Sequence, residues 1–174
     1  EFINTLGAND EALLMSFGDD PRIDQRWTQN QSELRKANDF FADGNTALYS
    51  ATQTAVEETA SRSGRGAAIV LTDGQSTSEQ ADLADAVATA NARGVPVYTI
   101  GLGFGANEQK LKSLASQTGG EYYFAPDSSD LHSIYNSISQ NINNAYKITS
   151  TTTNPTADAT NRSVATTVTA IGER

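Results

Sequence analysis

Cysteine is absent from this 174-residue chain and histidine occurs once. Disulfide staples, thiolate nucleophiles and the nitrogen and sulfur ligands of zinc sites are therefore excluded, and a bound metal would have to be held by oxygen. Positive charge is scarce, with 12 Lys and Arg against 21 Asp and Glu and a net charge of -9. The basic residues are scattered rather than gathered in a stripe, so a nucleic-acid backbone would be repelled and nucleic acid is not expected as a partner. No apolar run approaches the roughly 18 residues needed to cross a bilayer, so no membrane span is expected. The first ten residues, EFINTLGAND, lack the basic start and apolar middle of a signal peptide.

What is present is a regular alternation. Three compact apolar runs, EALLMSFG (11–18), AAIVLTD (67–73) and VPVYTIGLG (95–103), are continuous rather than alternating, as in strands covered on both faces. Between and after them, apolar residues recur every three or four positions: Leu34, Ala37 and Phe40; Leu48, Ala51, Ala55 and Val56; Leu83, Val87 and Ala90. Ser76 and Glu79 have the spacing of a capping box, and Gly94 with Pro96 stops the helix that follows. A helix over NEQKLKSLASQT, a strand at EYYFA and a last helix with Leu131, Ile134, Tyr135, Ile138 and Ile142 on one face complete the series. Such an order predicts an α/β fold, doubly wound, with a mostly parallel sheet flanked by helices. The pattern breaks near residue 149. Residues 1–148 read as one α/β domain, and residues 149–174 as a threonine-rich connector followed by a β segment, RSVATTVTAI.

Two polar residues stand where a ligand would bind such a sheet, beyond the carboxyl ends of the strands. Asp73 ends an apolar strand, and an uncompensated buried carboxylate is costly. Thr46 stands at the head of the helix before it. Asp73 also suits an Asp-Gly turn and Thr46 suits a helix cap. Together they offer a carboxylate and a hydroxyl, part of an oxygen-only magnesium site. Asp19 and Asp20 end the first apolar run near the same rim and also read as a charged turn before Pro21. Gly101-x-Gly103-x-x-Ala106, with Asp127 after the next strand, has the outline of a dinucleotide fingerprint. His132 falls off the apolar face of its helix, which leaves a Ser-His-Asp arrangement without support.

GNTALYSAT, AAIVLTDGQST, GVPVYTIGLG and LKSLASQTGGEYYFAPDSSDLHSIYNSI, in that order and spacing, resemble a von Willebrand factor type A domain across roughly residues 1–146. The resemblance implies a Rossmann-like fold and a metal-ion-dependent adhesion site. That site joins an Asp-x-Ser-x-Ser loop, a threonine loop matched here by Thr46 and an aspartate loop matched by Asp73. The implied function is binding, not catalysis. A Mg2+, Mn2+ or Ca2+ ion would take an acidic side chain from a protein partner, in an extracellular or cell-surface setting. The alternatives are a metal-independent structural or assembly module and, further off, a nucleotide-binding enzyme.

No Asp-x-Ser-x-Ser motif occurs in the sequence, and EFINTL resembles the end of the helix that follows that loop. The expectation is that the first strand and its metal ligands come from outside these residues, on another chain, a cleaved N-terminal piece or an adjoining segment; otherwise the ion is absent. About four buried apolar residues at roughly 1.5–3 kcal/mol each amount to about 6–12 kcal/mol, comparable with a whole domain's stability of about 5–15 kcal/mol.

Overall fold

In the structure, a computed structural model, residues 2–37, 46–74 and 81–144 are described. A 3-10 turn at Phe2–Thr5 precedes an antiparallel hairpin, β1 (Ala12–Phe17) and β2 (Pro21–Thr28). Helices α1 (Gln31–Lys36) and α2 (Leu48–Ala60) follow. A strand-helix alternation comes next: β3 (Ala68–Thr72), α3 (Leu83–Arg93), β4 (Val97–Leu102), α4 (Glu108–Gln117), β5 (Tyr122–Ala125) and α5 (Leu131–Asn144).

Strands β3, β4 and β5 form a parallel sheet in that order, with Thr72, Gly101 and Phe124 in one row. Each crossover is a helix, as parallel neighbours require. Helices α2, α3 and α4 cover one face, where Val56, Ala86, Ala90, Leu111 and Leu114 pack on Val70 and Val97. Helix α5 covers the other, setting Ile134 and Ile138 against Tyr98 and Ile100. Cover on both faces is why β4 reads as a continuous apolar run. Thr99, fully buried, donates its hydroxyl to the Leu111 carbonyl at 3.0 Å.

Local chemistry sets the helix ends. Asn30 accepts from Ser32 N–H at 3.0 Å and Asn107 from Lys110 N–H at 3.1 Å. Asp82 and Asp85 cap each other reciprocally at the start of α3, and left-handed Gly94 ends that helix. The Ser76–Glu79 spacing lies outside the described residues, as do Phe40, the connector and the RSVATTVTAI segment. Strand β2 was not foreseen. Its charged Arg22, Asp24 and Arg26 masked an alternation with Ile23 and Trp27 that marks a strand with one wetter face.

Among the described residues the hairpin and the three-stranded sheet are separate. Even so, β1 and β3 run the same way. Gly18, directly after β1, accepts from Ala47 N–H at 2.8 Å at the head of α2. Gly74, shortly after β3, meets Thr46 at that same head. At the other end, Glu11 before β1 binds Arg62 just past α2, and Gly66 before β3 sits so close to Thr59 that a Cβ would strike its methyl group.

Candidate functional site at the carboxyl rim of the sheet

The last residue of β3, Thr72, is 6% exposed, and the chain emerges at Asp73, whose side chain is exposed. The carboxylate therefore escapes the burial cost that its place in the sequence suggested. Gly74 N–H donates to the Thr72 hydroxyl at 3.3 Å, turning the backbone across the strand end. The turn carries Gly74 to the head of α2, where a Cβ on it would lie 3.3 Å from Thr46 Oγ1. Thr46 is not at the capping position of that helix, which is Ala47.

Two further loops reach the same rim. The turn after β1 arrives through the Gly18–Ala47 hydrogen bond and carries exposed Asp19 and Asp20. The β4–α4 loop crosses above Asp73 so closely that a Cβ on Gly105 would collide with the Asp73 carbonyl. Gly105 and its neighbour Phe104 were not singled out from the sequence. The available signal was an aromatic residue between two glycines, in a loop where no strand or helix pattern could bury it. Lys110 sets its ammonium 5.9 Å from the ring centre of Tyr49, the second residue of α2.

A hard divalent cation suits the donors at the rim, since a carboxylate and a hydroxyl oxygen are what such ions take. In number they fall short: among the described residues no group of three or more His, Cys, Asp or Glu could hold a metal. The rim thus offers part of a site, open toward solvent.

The other sequence candidates are placed elsewhere. His132 is exposed on α5. Gly101 is the fifth residue of β4, and Gly103, just past the strand, turns the chain at φ 66°. Asp127 accepts from Ser129 N–H at 2.7 Å and caps the turn Ser128–Asp130. The Ser129 hydroxyl and N–H hold its carboxyl below the usual range, so this carboxylate is already engaged locally.

At the opposite end of the sheet lies a cleft of about 550 Å³, lined by Leu6, Trp27, Ile69 and Ile142 among others. Arg62 braces its edge by two hydrogen bonds to Glu11, at 2.8 and 2.7 Å, which hold the Glu11 carboxyl below its ordinary value. The Trp27 indole N–H is buried with no hydrogen-bond partner among the described residues.

Residues 1–137 match the model of the von Willebrand factor type A domain. The chain belongs to that family. No curated protein matches it. Among solved structures, a von Willebrand factor type A protein from Catenulispora acidiphila is 21% identical, with TM-score 0.73, over 81% of this chain and 35% of that one. BatB from Bacteroides thetaiotaomicron is 21% identical, with TM-score 0.65, over 82% of both chains. Proximal thread matrix protein 1 from the mussel byssus, in a form whose adhesion-site motif holds zinc, is 18% identical, with TM-score 0.68, over 80% of this chain and 37% of that one. These likenesses establish the type A fold. This domain spans about a third of the length of the Catenulispora and mussel proteins. Type A domains generally serve as interaction modules.

Proposed function

We propose that this type A domain binds another protein through a divalent cation held at the carboxyl rim by Thr46 and Asp73. The supporting observation is the convergence of the β3 end on the head of α2, with Thr46 Oγ1 beside Gly74. A bound Mg2+, Mn2+ or Ca2+ would supply a positive pole with an open position for a partner's carboxylate. Asp73 contributes the negative charge that retains the ion, and the Thr46 hydroxyl contributes a neutral oxygen. Gly105 and Gly74 let two loops close around them without side-chain clashes. The remaining ligands come from outside the described residues, and the reading carries an extracellular or cell-surface location with it. Asp73→Ala should abolish chelator-sensitive binding to the protein ligand, a loss greater than the roughly 10–100-fold caused by removing an outer-shell partner. Binding unchanged in that variant and indifferent to EDTA would favour a metal-independent assembly module instead.

A second reading concerns the interval between hairpin and sheet. β1 and β3 run in the same direction, each is paired on one side only among the described residues, and the cleft beside them is lined by Trp27, whose buried indole N–H has no hydrogen-bond partner among those residues. We propose that a strand from outside these residues enters here, on another chain or on a cleaved or adjoining piece, bonding to edges that otherwise stay unsatisfied. Native mass spectrometry tests it: the 174-residue chain folded, monomeric and unaccompanied, with protected β3 amides, would overturn it.

A further inference from the structure

Among the described residues, two large apolar side chains are exposed, Phe104 at 90% and Phe124 at 41%. They are partners: their ring centres lie 5.4 Å apart, tilted by 55°. An aromatic side chain left almost wholly in water forgoes the gain from burial, and contact with one neighbouring ring covers little of it. The fold produces this exposure through its backbone. Gly103 takes a left-handed φ of 66°, accessible to glycine, and turns the chain just past the carboxyl end of β4, before Phe104.

The pair shares the rim with Asp73. Phe124 stands in the same row as Gly101 and Thr72, two strand spacings from β3, so its Cα is about 10 Å from that of Thr72. Phe104 is bonded to Gly105, the residue pressed against the Asp73 carbonyl. An extended ligand advances about 3.3 Å per residue, so one chain can touch the Asp73 position and the aromatic pair with side chains two to three residues apart. The field at the rim narrows the choice further. Exposed Asp19, Asp20 and Asp73 stand at it, and exposed Asp82 and Asp85 start the helix that follows β3, so a purely acidic segment without a bound cation would be repelled. An apolar contact beside the cation supplies attraction that neither chelator nor salt removes.

We infer that the partner is an extended acidic-apolar protein segment. One Asp or Glu reaches the cation position at Thr46 and Asp73, and one Leu, Ile, Met or Phe, two to three residues away, seats on Phe104 and Phe124. This rests on the cation-bridged reading above for its acidic half; the apolar half rests on the exposed pair.

The test is selection of a phage-displayed random dodecapeptide library on the immobilised 174-residue protein in magnesium, in parallel with Phe104→Ser. Because Phe104 is exposed, the variant should melt at the same temperature as the parent. The parent should enrich peptides pairing an acid with an apolar residue at the stated spacing, and a synthetic copy should bind Phe104→Ser about tenfold more weakly. Acid enrichment without apolar preference, equal apolar enrichment on the variant, or no enrichment at all overturns the inference. Apolar enrichment that needs Phe104 but ignores both acid and EDTA supports the aromatic contact while breaking the cation reading, so the two failures are distinguishable.

Discussion

Strands β1 and β4 have similar sequences and different fates. ALLMSF and VYTIGL are both apolar runs of six, yet only the first residue of β1 is buried, against the first five of β4. β4 has a strand on each side, α4 against one face and α5 against the other, whereas β1 has, among the described residues, one neighbouring strand, β2. Burial is a property of the neighbours a strand acquires, and an apolar sequence only makes it worthwhile. β3, the outer strand beside β4, delivers Asp73 to the rim, while the hairpin borders a cleft.

The strongest way to break this comparison is to excavate both strands. Ile100→Ala removes a side chain that is 0% exposed and should cost about 2–5 kcal/mol of unfolding free energy in chemical denaturation. Leu14→Ala, at a half-buried position of β1, should cost roughly 1–2 kcal/mol. Equal losses would mean that β1 is as enclosed as β4, which is the result expected if an added strand fills the interval.

A smaller effect sharpens the picture of how the hairpin is held. Glu11 and Arg62 join it to the end of α2 through a partly exposed ion pair, so Glu11→Gln should cost about 0.2–1 kcal/mol, less at high salt. Its pH dependence follows from the lowered folded-state value of the Glu11 carboxyl, caused first by its hydrogen bonds to Arg62. Such a group stabilises the fold above the ordinary carboxylate range, and the contribution fades as pH falls through the folded value. Stability curves of parent and variant should therefore converge in acid; a gap that persists there would show that the pair acts through packing alone.

Much of the fold was legible because burial on two faces and helical periodicity both write themselves into residue order. The runs at 67–73 and 95–103, the glycine stop at Gly94 and the apolar face of α5 all became elements near the expected places. Strand β2 was not legible, because its charged alternate residues look like a loop until β1 supplies hydrogen-bond partners. At the rim, Asp73 and Thr46 stood out as a carboxylate and a hydroxyl at element ends. Phe104 and Gly105 did not, since their importance lies in what passes beside them rather than in their own chemistry.

The sequence by itself determined the strand-helix alternation, the absence of thiol chemistry and the negative charge, because these depend on residue type and on spacing along one chain. Tertiary structure alone decided that Asp73 is exposed, that Thr46 meets the β3 turn at the head of α2, and that two phenylalanines face water beside them. Each of these depends on where distant backbones cross. The crossing is set by packing of both sheet faces, and no local stretch of residues encodes it.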